Sequence, residues 1–390
     1  MKKRIFLILF IATLITMLSL GIITPILPLY AKSMKATGIE LGIIFSGFAL
    51  SRGIFAPIIG QYSDQYGRKM LIITGLILFI ILSICYVLAR SPLALTIIRF
   101  AEGFSTVLVT PVAQSYIGDI TPIGKEGNYM NLFFMSFFGG QALGPYLGGY
   151  LTDQFNIEAP FYAMAVLSFI ALIFIIFLVP ESQVIVNKRQ QKKPIFKSLV
   201  PVFKDKPMQA IMVYFGSRGL YRWGFNTFFP ILAVKAAGLS VTNIGIILSV
   251  YMFSGSIIQY PFGLLVDKYP KHKVNLILFG GLVAAVPMCI FGQFRTMTMY
   301  IILTLIMGVF SSISRASGIA IRTERGRIYG MGAATGAFTA SLSFGQVIGP
   351  IVFGIFADAF GIPTAFLVGG IIGIFGTAAA AIFFKTKTNI

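Results

Sequence analysis

Apolar runs long enough to cross a bilayer follow one another along almost the whole chain. They fall at roughly 5–30, 39–61, 71–89, 93–118, 129–152 and 160–179, then 207–233, 240–266, 274–292, 297–321, 328–357 and 363–384. A membrane helix needs about 20 apolar residues to span the hydrocarbon core, so each run reads as one crossing. Short polar turns separate the runs, with one exception. Pro180–Lys206 is a long polar connector that divides them into two sets of six. The pattern predicts an all-α membrane protein with about 12 transmembrane helices. It places six-helix bundles at 1–180 and 207–390, joined by a linker at 181–206.

Composition sharpens this picture. Of 390 residues, 57% are hydrophobic and only 11% charged, which excludes a soluble globular domain. A net charge of +19 raises the question of a nucleic-acid partner, and the placement of the charges argues against one. One set of alternate polar segments holds Lys2, Lys3, Arg4, Arg68, Lys69, Lys125 and the linker cations Lys188, Arg189, Lys192, Lys193, Lys197, Lys204 and Lys206. Lys268, Lys271, Lys273, Arg322, Arg325, Arg327, Lys385 and Lys387 continue that set. The other set holds only Lys32, Lys35, Arg90, Lys235 and Arg295. Cationic loops stay on the cytoplasmic side, so both termini are expected there. The first run reaches Tyr30 without a small-residue cleavage site and reads as a membrane helix rather than a removed signal. Ile- and Lys-rich usage with short loops suits a multi-pass protein of a prokaryotic plasma (inner) membrane.

Several chemistries find no support. Cys85 and Cys289 lie inside apolar runs in different halves and read as small buried hydrophobes. There is no phosphate-cradling loop, no His/Cys cluster for a metal, and no nucleophile–base set around the single His272. The chain is not expected to be an enzyme.

The two halves repeat. Gly42, Gly60 and Asp64 recur as Gly245, Gly263 and Asp267, while Gly144-Pro145 and Asp153 recur as Gly349-Pro350 and Asp358, all displaced by about 203–205 positions. A near-constant offset implies two pseudo-symmetric bundles. The second copy is degenerate, since Pro270 stands where Gly67 would and Lys271-His272 replaces Arg68-Lys69.

Three local patterns point to mechanism. Gly60-Gln61-Tyr62-Ser63-Asp64-Gln65-Tyr66-Gly67-Arg68-Lys69 joins the second and third runs, with Asp64 four residues before Arg68 and able to pair with it. Gly67 supplies the backbone freedom of a tight turn. In the fourth run, Arg99 and Glu102 are three apart and can pair on one face, and Glu102 is the only acid well inside a run. Either the pair is static, or it opens and Glu102 exchanges a proton. In the fifth run Gly140, Gly144 and Gly148 line one face beside Pro145 and Gly149, allowing close, bendable packing.

These three patterns resemble the loop, fourth-helix and fifth-helix signatures of the major facilitator superfamily, the last of them associated with its drug:proton antiporters. The resemblance implies the two-bundle fold of that family, with substrate bound between rocking halves. It further implies efflux of a small organic molecule driven by the proton gradient, without a cofactor, by a chain that works as a monomer. On this resemblance Asp64 and Arg68 latch the cytoplasmic side, and Gly140, Gly144 and Pro145 give the halves a flexible contact. Arg99 and Glu102, with Asp119 at the cytoplasmic edge, are the candidates for proton handling and gating.

The first run has no acid, which weakens the case for a cationic substrate. Arg99, Arg218, Arg222 and Arg315 fall on the fourth, seventh and tenth runs, which the family's fold places around the central cavity, and Arg52 is a fifth cation inside a run. Arginine binds carboxylate or phosphate in a bidentate fork, so an anionic group on the substrate is expected. Trp223, Asn226, Tyr251, Gln259, Tyr260, Gln114 and Gln346 offer stacking and hydrogen bonding. Two alternatives stay open: a proton-driven importer of an organic anion on the same fold and, further away, a non-transporting membrane enzyme or sensor.

Overall fold

The structure, a computed structural model, describes residues 2–122, 126–181 and 195–385. The side chains of Lys2, Lys3, Asp64 and Lys197, together with Lys125, Lys188, Arg189, Lys192, Lys193 and Lys387, lie outside the described residues. The described chain is helical throughout, with no strand. Its first six membrane helices are α1 (Lys2–Ser33), α2 (Gly38–Tyr66), α3 (Lys69–Leu88), α4 (Pro92–Ile120), α5 (Glu126–Gln154) and α6 (Ala159–Leu178). After α7 (Ile195–Lys204) come α8 (Lys206–Ala237), α9 (Val241–Ile257), α10 (Gln259–Lys268), α11 (Lys273–Ile290), α12 (Met297–Tyr329), α13 (Met331–Phe360) and α14 (Ile362–Lys385). Every predicted run is helical, and ten helical stretches are long and apolar enough to cross a membrane. The two runs outside that set are α5 and α8, whose glycines, amides and arginines lower their hydropathy.

Three features depart from the pattern read along the sequence. The eighth run is broken into α9 and α10 at Ile258, just after Ser254-Gly255-Ser256. There the serine hydroxyls bond back to the Tyr251 and Met252 carbonyls, a local competition that bends helices. The expected loop around Arg322, Arg325 and Arg327 is instead the last turns of α12, which passes straight into α13 through Gly330 at φ 100°. Glycine adopts that left-handed backbone without steric cost, and cations at a helix C-terminus suit its dipole. The polar connector contains a helix, α7. Asp205 follows it and accepts from the Met208 N–H at 3.1 Å, which starts α8.

The described helices gather into two compact units. Unit 1 comprises Met1–Ala36, Ile43–Lys188 and Gly238–Ser249, and unit 2 comprises Thr37–Gly42, Arg189–Ala237 and Val250–Ile390. This division departs from a simple cut at the linker in two places. The first turn of α2 belongs to unit 2, and the start of α9 belongs to unit 1. Lipid tails are as apolar as leucine, so helix association in a bilayer relies on close packing. Unit 1 follows that rule at α1 and α5, where a Cβ on Gly140, Gly144 or Gly148 would run into the α1 backbone at Leu14, Gly21 and Ile22. Unit 2 packs α13 on α8 in the same way, where a Cβ on Gly345 or Gly349 would run into the α8 backbone at Gly216 and Leu220, and it adds ring stacks. Phe225 stacks on Phe229 at 4.9 Å, and Phe291 stacks on Tyr300 at 5.5 Å.

Candidate functional site

The turn between α2 and α3 is built around Gly67, which has φ +96°, and a Cβ there would lie 2.8 Å from Glu181 Oε1. Glu181 accepts from the Arg68 and Lys69 backbone N–H groups at 2.9 and 3.0 Å, a carboxylate at the positive end of α3. The buried Arg68 guanidinium forks onto Asp119, with Nε to Oδ2 at 2.7 Å and Nη2 to Oδ1 at 3.1 Å. Lys69 Nζ donates to the Ile176 carbonyl at 2.8 Å. Sequence reasoning pairs Arg68 with Asp64, whose side chain lies outside the described residues, and gives Asp119 a gating or proton-handling role at the cytoplasmic edge. In the structure Asp119 is the carboxylate that receives Arg68. Glu181 was missed; its only sequence signal is an acid directly after Pro180 at the end of the sixth run. In the second half, Gly263 and Asp267 line an open groove of about 480 Å³ with Pro270, Lys273, Glu324 and Arg327, and Lys273 donates to Glu324.

Deep in unit 1, Glu102 is 1% exposed and its Oε2 accepts twice, from Arg99 Nη1 at 2.7 Å and from the Tyr86 hydroxyl at 2.6 Å. The short O–H···O distance is that of a charge-assisted bond. Glu102 Oε1 is buried with no hydrogen-bond partner among the described residues. The Arg99 guanidinium also lies over two rings of α2, 5.2 Å from the Phe45 centroid and 4.6 Å from Phe48. Arg52 stands 5.6 Å from the same Phe48 ring. Tyr86 was not singled out from the sequence, although it is the one phenol in the third run.

Unit 2 gathers Arg218, Arg222 and Arg315, and among the described residues none of the three is in a salt bridge, whereas Arg325 pairs with the buried Asp205 at 3.6 Å. Arg218 is buried, Arg222 and Arg315 are half-buried, and the three guanidinium groups lie close enough to repel one another. Arg315 Nη1 donates to Gln259 Oε1 at 3.3 Å. Arg222 also lies 6.0 Å from the half-buried Trp223 ring. Around them Arg222 Nε, Asn226 Oδ1, Gln346 Nε2 and the Tyr214 and Tyr221 hydroxyls are buried without a hydrogen-bond partner among the described residues. Buried polar atoms are ordinarily satisfied, so a cluster of orphans rich in donors fits an acceptor-rich ligand.

The repeat has a physical counterpart. Asp358 accepts from the Gly38 and Ile39 N–H groups at 2.6 and 3.0 Å, both within unit 2. Asp153 accepts from Val241 and Thr242 at 3.3 and 2.8 Å, both within unit 1. Each acid thus caps the first turn of a helix otherwise built into the other unit. Burial pushes the Asp153 carboxyl up, but the hydrogen bonds from Thr242, Ser240 and Val241 outweigh it and hold the group below the usual carboxylate range. This cap therefore persists at ordinary pH and weakens only in strong acid. Small residues make room beside each cap: a Cβ on Gly149 or Gly245 would strike the Val241 or Pro145 carbonyl, and one on Gly354 would strike that of Gly38. The fifth-helix motif therefore faces two ways. Gly140, Gly144 and Gly148 meet α1 inside unit 1, because the four-residue spacing keeps all three on one face. Pro145 and Gly149 meet the start of α9.

An all-α, two-unit membrane chain with internally paired and unpaired buried charges has the build of a polytopic solute carrier. The family model of the Major Facilitator Superfamily matches residues 9–234 and 211–389, and the chain belongs to that family. It is a multi-pass membrane transporter, not an enzyme. It is 26% identical over 399 residues to multidrug resistance protein 2 of Bacillus subtilis, covering 100% of this chain and 97% of that one. It is 29% identical over 282 residues to the quinolone resistance protein NorA of Staphylococcus aureus, covering 71% and 69%. An MFS-type transporter of Methanocaldococcus jannaschii is 29% identical over 384 residues, 96% of each chain. Among solved structures, the nucleoside transporter NupG superposes with a TM-score of 0.80 at 16% identity, covering 98% of this chain and 100% of that one. An inward-facing bacterial homologue of the human lysosomal transporter Spinster gives 0.78 at 14%, covering 98% and 96%. These likenesses at low identity establish the fold.

Proposed function

We propose that this chain exports a small organic molecule bearing an anionic group in exchange for protons, by alternating access between its two halves. It would do so as a monomer in a prokaryotic plasma membrane, with both termini cytoplasmic. The observation that carries the reading is Glu102, a buried acid with one carboxylate oxygen bound twice and the other open. A charge inside a membrane is costly and marks a pathway for protons or ions. The drug-resistance names of the relatives support the outward direction. The arginines of unit 2 support the anionic group, since they lack an acid of their own. Arg68 with Asp119 would steady the α2–α3 turn within unit 1, and Asp153 and Asp358 the helix starts that they cap.

A second reading keeps the fold and reverses the flux, making the chain a proton-driven importer of an organic anion. The same arginines favour it. Reconstitution into liposomes holding a pH-sensitive dye separates the two. Anionic, neutral and cationic amphiphiles would be added under an imposed proton gradient, with Glu102→Gln in parallel. Antiport predicts proton movement opposite to that of the anionic probe, lost in the variant. Movement of both in one direction would replace export with import. Proton movement unchanged in Glu102→Gln would remove the coupling role.

A further inference from the structure

The proton site reaches beyond Arg99 and Glu102. Tyr86 is wholly buried, and its ring stacks on Phe161 at 5.0 Å with planes 16° apart. Its backbone carbonyl accepts from the Tyr30 hydroxyl at 3.0 Å. The phenol is thus held from two sides and aims its proton at Glu102 Oε2. Among the described residues, the titratable and charged groups that act on Glu102 are Tyr86 from α3 and Arg99 from its own helix. From α2 the nearest charge is Arg52, across the Phe48 ring. Glycine at 103 brings α4 against α2 there, since a Cβ on it would lie 2.5 Å from the Phe48 carbonyl and 2.8 Å from Ser51 Cβ.

We propose that Tyr86 is a positioning residue for proton exchange: it saturates Glu102 Oε2 together with Arg99, so that the proton enters at Oε1 and frees Arg99 onto the Phe45–Phe48 face of α2. The inference rests on Glu102 being the coupling acid. An ionised Glu102 holds Arg99 through its negative charge. A proton on Oε1 neutralises that charge without displacing either donor from Oε2. Arg99 then keeps its ring contacts on α2 and loses the ionic part of its bond to Glu102, so the like charge of Arg52 beyond Phe48 is no longer offset. The strain falls on α2, one of the two helices divided between the units. The proton comes from water to Oε1 and goes back to water from Oε1 when Glu102 ionises again, with Tyr86 and Arg99 at Oε2 throughout, so the step conserves charge and atoms.

The test compares the pH dependence of proton-driven transport in proteoliposomes for wild type, Tyr86→Phe, Phe48→Leu and Glu102→Gln. Tyr86→Phe keeps the stacked ring and removes one donor to a carboxylate. Such a donor favours the ionised form, so its loss should move the pH midpoint upward by roughly one to two units. Phe48→Leu should leave the midpoint in place and lower the proton-driven rate about tenfold, since a cation–π contact in a desolvated site contributes on the order of 1–2 kcal/mol. Glu102→Gln should abolish the pH dependence. If Glu102→Gln retains the wild-type profile, the coupling reading itself fails. If Glu102→Gln flattens the profile but Tyr86→Phe leaves the midpoint where it was, the role of Tyr86 is overturned. An unchanged rate in Phe48→Leu would overturn the hand-over to α2.

Discussion

Arg99 in unit 1 and the arginines of unit 2 meet the same problem in opposite ways. Arg99 sits in a closed set with Glu102 and Tyr86, its charge answered within the unit. Arg218, Arg222 and Arg315 have tyrosines, an amide and rings around them, and none of them is in a salt bridge among the described residues. Desolvated cations need a counter-charge, and one partner removed from a buried pair leaves the other uncompensated. A unit that supplies its own counter-charge is suited to gaining and losing a proton. One that withholds it is suited to receiving the counter-charge from a ligand.

The contrast can be broken most severely from the paired side. Glu102→Leu strands Arg99 and should destabilise the folded protein by about 3–5 kcal/mol, seen as a large fall in Tm. Adding Arg99→Met should recover most of that loss. From the unpaired side, Gln259→Glu gives Arg315 a resident carboxylate and makes unit 2 resemble unit 1. Affinity for anionic probes should drop about a hundredfold, with neutral probes unaffected, because a charge-assisted bond is surrendered and a like charge added. Replacing Arg218 and Arg222 together with Gln should weaken anionic ligands about thirtyfold by loss of donors. Equal losses for neutral and anionic ligands would show that these arginines are scaffold. The smallest effect belongs to the half-exposed pair Lys273–Glu324, where Lys273→Ala should change stability by less than about 1 kcal/mol.

Which of these groups could be read in the sequence follows from physical range. Arg99 and Glu102 are three apart on one helix, so their pairing is local and legible. Tyr86 reaches Glu102 from α3, Glu181 reaches the Arg68 turn from beyond α6, and Asp119 reaches Arg68 from α4. None of these has a fixed spacing to announce it. The membrane helices were legible because apolar length sets them. The break at Ile258 and the direct passage from α12 to α13 were not, because each turns on one or two residues, Ser254–Ser256 and Gly330. Asp153 and Asp358 were visible as a repeated pair. Their work as helix caps appears only once the N–H groups of Gly38, Ile39, Val241 and Thr242 are placed beside them.

The most direct test of a division between a proton unit and an anion unit is proton release when an anionic probe binds to purified protein in weak buffer. Quenching of Trp223, the single tryptophan beside Arg222, would report occupancy in the same cuvette. Wild type should release protons as the signal saturates. Glu102→Gln should show the same quenching with no release, while the Arg218→Gln, Arg222→Gln double variant should show neither at that probe concentration. Undiminished release from Glu102→Gln would contradict the account, because the proton would then leave from somewhere other than Glu102, the one acid buried in unit 1 among the described residues.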